Sequence, residues 1–354
     1  MRHIKIDEII DKIKFLNVDN FKKTVFLIAN TVKTESSDFY TLPVREYRSN
    51  IVSGVVVCND SVAESIAVQV DGAVDYIFVD AEKKIAPDVA ENETSGDIEK
   101  KVESVITRST LISYKANDLT VDAADSLIST YLANKPINAD RKRVGIVGSG
   151  NIGSKLALKL VERNMDVFLF RRNHSVLQIT VDFINNIKNK NTGSIAYAVD
   201  SSMDACIGVD VIIGATNGIP VITLDIIDAI SNKPLIIDIG KGSISESAIK
   251  CCESRGIDIL RLSVESALEG LIISLISANT TYVDRAGRGL FYGIKVASGG
   301  FIARSDELVV DNYKNPKHVY GIGNGKGDFN RDPDKVGLDL IQKLKNKIIS
   351  IGNN

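Results

Sequence analysis

The 354-residue chain has only four cysteines and three histidines, and it has no apolar run long enough to cross a bilayer. Cys58, Cys206, Cys251 and Cys252 show no CxxC spacing, and His3, His174 and His318 are scattered, which argues against a disulfide framework and against a zinc site. A reducing cytoplasm fits that cysteine usage. Where Cys251 and Cys252 adjoin, a helix would turn one of them into the core. The most apolar stretch, ALEGLIISLISA (267–278), falls well short of the roughly 20 residues a spanning helix needs and carries Glu269, so it reads as a core helix or strand. The opening MRHIKIDEIIDKIKFL alternates charge with apolar residues at helical spacing and has no continuous apolar core, so no secretion signal is expected. A net charge of −2 gives no lead toward nucleic acid or an anionic membrane. No internal repeat and no low-complexity segment is present.

What is present is alternation. The runs TVFLIANTV (24–32), IVSGVVVC (51–58), VDYIFVDA (74–81) and STLISYKA (109–116) are separated by helical patterns, which predicts a parallel sheet covered on both faces. NDLTVDAADSLISTYLANKP then reads as one long helix, capped by Asn117 or Asp118 and stopped at Pro136. The polar KPINADRKR that follows marks a domain junction. From Val144 to about Ser263 a second βα series runs through VGIVG, DVFLF, SIAYAV, VDVIIGAT, PLIIDIG and IDILRL. After a helix over 264–280, glycines and Asp/Asn/Pro turns interrupt short apolar alternations, as in an antiparallel meander. A final helix over 334–349 places Leu338, Ile341, Leu344 and Ile348 on one face, a stripe suited to core packing or to contact with another copy. The division expected is therefore 1–136 (α/β, substrate side), 137–263 (doubly wound, nucleotide side) and 264–354 (meander and helix).

Within RVGIVGSGNIGSKLALKLVERNMDVFLFRRN (143–173), Gly148, Gly150 and Gly153 make a G-x-G-x-x-G that follows a strand and opens a helix. Gly148 permits the tight turn, Gly150 leaves room for a pyrophosphate, and Gly153 lets helix and strand pack closely. Ser149, Asn151 and Ile152 lie between these glycines at the helix N-terminus, which favours an anion. Where a carboxylate for a ribose 2′-hydroxyl would stand, the chain has Arg171, Arg172 and Asn173. Two guanidinium groups suit a 2′-phosphate, so NADP is expected in preference to NAD. GATNG (214–218) and DIGKGS (238–243) follow the fourth and fifth strands of the series. Ala215, Thr216, Asn217 and Gly240 are therefore candidate ribose and nicotinamide contacts.

Over about 143–263 the sequence resembles the Rossmann-type NAD(P)-binding dehydrogenases. A preceding α/β domain, a long joining helix and a following tail resemble the layout of two-domain enzymes such as methylenetetrahydrofolate, shikimate and amino-acid dehydrogenases, whose substrates lie between domains. That resemblance implies a catalytic lysine near the end of an N-domain strand. LISYKAND supplies Lys115 there, with Asp118 or Asp122 to orient it. Tyr114 and Lys115 are adjacent, so the folate enzymes' Tyr-x-x-x-Lys is absent, as is the shikimate enzymes' Asn-Val-Thr-x-Pro-x-Lys; neither substrate carries over. The expectation is a cytoplasmic, homo-oligomeric oxidoreductase that moves a hydride to or from a carbonyl, imine or amine carbon of a small polar metabolite. It would have no metal, nucleic-acid or membrane partner. A cyclodeaminase-type enzyme that retains its nucleotide, as ornithine cyclodeaminase does, and an NADP(H) sensor or scaffold without turnover are the alternatives. GIGNGKGD (321–328) lacks P-loop spacing and reads as a mobile loop, with Lys326 a weak anion contact.

Overall fold

The buried run Thr24 to Ile28 lies in β1 (Lys23–Asn30), the middle strand of a five-stranded sheet. The computed structural model describes residues 2–19, 21–31, 39–84, 96–134, 142–330 and 332–352. With β2 (Phe39–Glu46), β3 (Asn50–Val57), β4 (Tyr76–Asp80) and β5 (Thr110–Tyr114), the strand order is β2-β3-β1-β4-β5. β3, β1, β4 and β5 are mutually parallel. β2 is an antiparallel edge that the apolar pattern does not announce, because it is half exposed and carries Pro43. The helices of this half are α1 (Arg2–Leu16), α2 (Asp60–Val70) and a short α3 (Ile98–Glu103). Ile6, Ile13, Phe26, Ile51 and Ile77 meet in their shared core.

Asp71, just past α2, ties this helix to the segment before β5. Its buried carboxylate accepts from the amides of Thr107, Arg108 and Ser109 and from the Thr107 hydroxyl. Burial alone would push its pKa up, but the hydrogen bonds outweigh it and hold the carboxyl well below the usual range. A depressed folded-state pKa gives stability that is complete above the unfolded value of about 3.9 and is lost progressively as the pH falls from there toward and through the lower folded-state value. Asp71→Asn is expected to cost about 2 kcal/mol at neutral pH. In denaturant titrations the gap from the natural chain should narrow below about pH 4. A gap constant down to pH 3 would contradict the account.

α4 (Ala116–Ala133) begins slightly earlier than the sequence caps suggest, with Lys115 as N-cap rather than Asn117 or Asp118. The expected stop at Pro136 and the junction at 136/137 lie outside the described residues. Val121, Ala124, Ile128 and Leu132 of this helix are buried in the core of the following sheet, so α4 belongs to that core by packing.

That sheet comprises β6 (Arg143–Val147), β7 (Asp166–Phe170), β8 (Ala196–Ala198), β9 (Val211–Gly214), β10 (Leu235–Asp238) and β11 (Ile259–Arg261), in the order β11-β10-β9-β6-β7-β8. All pairs are parallel. With α5 (Asn151–Glu162), α6 (His174–Ile187), α7 (Ser202–Cys206), α8 (Leu224–Ala229) and α9 (Glu246–Arg255) between the strands, this is the doubly wound Rossmann order. Its switch point lies between β6 and β9.

The chain divides into two compact units, 1–269 and 270–354. The division falls within α10 (Glu265–Thr280), where Leu268 and Ile272 are buried but Ile273 is 44% exposed, so the apolar run is a half-covered helix. A π-helical turn (Thr281–Arg285) leads to β12 (Gly287–Phe291), β13 (Ile294–Ser298), β14 (Leu308–Val310) and β15 (Val319–Ile322). This sheet is a mixed one and not the antiparallel meander expected, because β13 and β14 run parallel. The hairpin β12–β13 turns through Tyr292 and Gly293, both at positive φ, as a tight hairpin requires. α11 (Lys335–Gly352) covers the sheet with Leu344 fully buried and Ile341 and Ile348 packed beside it, whereas Leu338 is exposed. The glycine-rich 321–328 forms a closed turn: Asn324 Oδ1 accepts from the amides of Lys326 and Asp328, and Gly323 bridges Phe329. Among the described residues no helix is long and apolar enough to cross a membrane.

Candidate active site

The glycine turn sits where β6 meets α5. The carbonyl of Phe170 accepts from Gly148 N (3.0 Å) and Ser149 N (3.3 Å), bending the chain across the end of β7. Gly148 has φ +115°, and a Cβ there would lie 2.6 Å from the carbonyl oxygen of Ala215. A Cβ on Gly153 would meet the Gly148 carbonyl at 2.2 Å, so this glycine sets the close packing of α5 on the turn. Gly150 is different: a Cβ there meets nothing within 4 Å. It is the N-cap of α5 and provides no side-chain cap, so the first-turn amides, including those of Asn151 and Ile152, face an open cradle. Ser149 is fully buried, its hydroxyl 3.1 Å from that of Ser154.

Beside the cradle lies a cavity of about 390 Å³ whose walls include Gly148, Gly150, Arg171, Arg172, Thr216 and Ile219. Arg171 donates to the carbonyl oxygen of Ser149 at 3.0 Å, which aims one guanidinium at the turn, while Arg172 is exposed. Asn173 lines the same cavity, but its side chain caps α6 by accepting from Val176 N.

A second cavity, of about 460 Å³, shares Gly150, Ala215, Thr216 and Asn217 with the first and continues past Asn151, Ile152, Gly240 and Lys241. The Thr216 hydroxyl is engaged with the carbonyl of Ile219 (2.7 Å) and the hydroxyl of Ser243 (3.1 Å), so this residue shapes the loop. A Cβ on Gly240 would strike the Thr216 carbonyl at 1.7 Å, which shows how closely the two loops press together. Asn217 is exposed between the cavities. Lys241 holds φ +55°, a backbone state that costs a non-glycine residue of order 1 kcal/mol and that clusters at functional sites.

The far wall of this second cavity is made by Asn30, Thr31, Lys84 and Asn117, from the carboxyl ends of β1 and β4 and the start of α4. Parallel pairing of β1 with β4 brings these ends together. Lys84, 20% exposed, reaches Asp80 at 2.8 Å and Glu82 at 3.1 Å. Asp80 also accepts from the amides of Glu82 and Ala116, and Glu82 from the amide of Asn117, which locks the cluster to α4. Asn117 Nδ2 lies 3.4 Å from Asn151 Oδ1, across to the start of α5. Tyr114 beneath is buried, and burial, reinforced by Asp80 and Glu82, pushes its phenol pKa up, so it stays protonated.

The candidates Lys115, Asp118 and Asp122 are placed elsewhere. Lys115 follows β5 as the cap of α4 and is 63% exposed, 4.0 Å from Asp118. Asp118 pairs with Lys155 at 2.5 Å, Asp122 with Lys159 at 2.8 Å and Asp125 with Arg163 at 2.5 Å. These carboxylates recur every three or four residues on α4 and their cations every four along α5 and its C-cap Arg163, so they form an ion-pair ladder between the facing sides of the two helices. The Asp122 hydrogen bond raises the pKa of Lys159 and keeps it charged. The strand-end rule that located the nucleotide loops would have found Lys84, since D-A-E-K-K begins on the last residue of β4. Among the described residues no three His, Cys, Asp or Glu side chains gather as a metal site.

The sequence matches no protein-family model and no curated protein. Solved structures similar to the chain include a dipicolinate synthase chain from Bacillus halodurans, with 16% identity over 73% of this chain and 99% of that one and a TM-score of 0.35. L-tryptophan dehydrogenase from Nostoc punctiforme shows 12% identity over 68% of this chain and 69% of that one, with a TM-score of 0.38. D-lactate dehydrogenase from Escherichia coli shows 12% identity over 73% and 96%, with a TM-score of 0.33. At such identities the chemistry of the site rests on its own geometry.

Proposed function

We propose that this chain is an NADP(H)-dependent oxidoreductase acting on a small polar metabolite in the cleft at the carboxyl ends of its first two sheets. The observation that carries the reading is continuity: Gly150, Ala215, Thr216 and Asn217 line both the cavity beside Arg171 and Arg172 and the cavity that holds Lys84. The residues fit a dinucleotide. The cradle over Gly150 has room and helix amides for a pyrophosphate, and Arg171 with Arg172 supplies positive charge for a 2′-phosphate where no carboxylate stands. When bound, the nicotinamide supplies the two-electron chemistry.

The chain's own part is orientation and proton handling. An ammonium has three N–H donors, and Lys84 directs two of them at Asp80 and Glu82. The third is left for a carbonyl oxygen or imine nitrogen in the cleft. Lys84 would donate a hydrogen bond as charge develops there and pass on a proton. Arg171→Asp tests the nucleotide assignment. It should weaken NADPH relative to NADH by about 1 to 3 kcal/mol, the worth of a charge-assisted bond. Fluorescence titration with both nucleotides reads the effect, and an equal loss for each would sink the choice of NADP.

A further inference from the structure

Asn30 is the last residue of β1, 4% exposed, and it lines the cleft with Lys84. Its amide can be oriented without ambiguity. Nδ2 donates to the carbonyl oxygen of Glu82 at 2.6 Å, and exchanging the two ends would set oxygen against oxygen. The other end, Oδ1, is therefore an acceptor; it is buried and has no hydrogen-bond partner among the described residues. Folded chains pair nearly all such atoms, so an orphan on a cleft wall calls for a donor from the occupant. Glu82 joins this acceptor to the acid, holding Asn30 through its main-chain carbonyl and Lys84 through its carboxylate. Both side chains line the same cavity and differ in hydrogen-bonding sense: the Lys84 ammonium only donates, and the remaining Asn30 oxygen only accepts.

We infer, resting on the oxidoreductase reading, that the substrate carries a hydroxyl or amino group beside the carbon that exchanges the hydride. The class is that of α-hydroxy and α-amino carbonyl compounds, or the diols and amino alcohols they become. Asn30 is then the residue that selects for the donor. A nicotinamide carboxamide is the less fitting source of that donor, because Asn30 belongs to the Lys84 cluster and not to the nucleotide loops.

Hydroxyacetone and aminoacetone test this against butan-2-one, which replaces the hydroxyl or amino group by a methyl at nearly the same volume. Reduction by NADPH is followed by absorbance, and binding to the NADP-loaded full chain by ligand-observed NMR, so slow chemistry does not hide recognition. At least one donor-bearing ketone should be preferred by about a hundredfold or more, as sites built to hydrogen-bond a polar group reject the analogue lacking it. Asn30→Leu, close in size, should reduce that preference to roughly fivefold or less, chiefly by weakening the donor-bearing ketones. Equal handling of the three ketones by the natural chain, binding of none, or a preference untouched by Asn30→Leu would each overturn the inference. If NADPH still binds in those cases, the nucleotide reading stands. Failure to bind NADPH would instead remove the reading on which the inference rests.

Discussion

Gly150→Val should raise the Kd for NADPH by at least about a hundredfold, more than about 2.7 kcal/mol of binding, without unfolding the chain. A Cβ at this position meets nothing within 4 Å, and the backbone is extended, with φ −92° and ψ −158°, so a branched residue is accommodated in the free protein. What it would occupy is the space over the first turn of α5, where a pyrophosphate must approach the amides. The cost to the fold should be near that of a poor N-cap, about 1 kcal/mol, a melting shift of a few degrees. Gly153→Val makes the contrast, because its Cβ would stand 2.2 Å from the Gly148 carbonyl and must displace α5. Fluorescence titration and thermal melts of the two variants separate the roles. Undiminished binding by Gly150→Val would mean that the turn serves packing alone.

The second large effect concerns Lys84. Lys84→Met is expected to lower turnover by at least about a hundredfold, the lower range for loss of a positioned proton donor, with NADPH affinity nearly unchanged. It also leaves Asp80, whose side chain is fully buried, and Glu82 without their ammonium, which destabilises a buried cluster. Lys84→Arg controls for this. A guanidinium can pair with both carboxylates yet does not release its proton at ordinary pH, so the fold should recover while turnover stays at least about tenfold low. Lys115→Met should change turnover by less than about twofold, since the side chain is 63% exposed and does not line the cleft. Where the substrate is still open, screening keto acids, imines, amino acids and polyols by nicotinamide absorbance provides the assay. Full turnover by Lys84→Met would move the acid to another cleft residue, with Lys241 next in line.

Much of this protein is legible in its sequence. Near-continuous Val/Ile/Leu runs between helical segments specify parallel strands covered on both faces, and both large sheets bear this out. The nucleotide turn is equally legible, because G-x-G-x-x-G states a local steric requirement: a positive φ at Gly148, an open Cβ direction at Gly150 and a backbone contact at Gly153. β2 is not, since an edge strand needs no continuous apolar run, and the parallel step between β13 and β14 is not, since strand direction across a loop leaves no mark in residue type.

The half of the cleft around Lys84 is decided by tertiary structure. Asn30, Lys84 and Asn117 are far apart along the chain and become neighbours only when β1 and β4 pair in parallel and α4 starts over their ends. Lys115, at an equally suggestive strand end, is turned to solvent, and Asp118 and Asp122 are committed to the ladder on α5. A backbone conformation and its glycines are encoded within a few residues and can be read there. Which charged side chain faces a cleft depends on which strand ends are brought together, and that is set by contacts between residues distant in sequence.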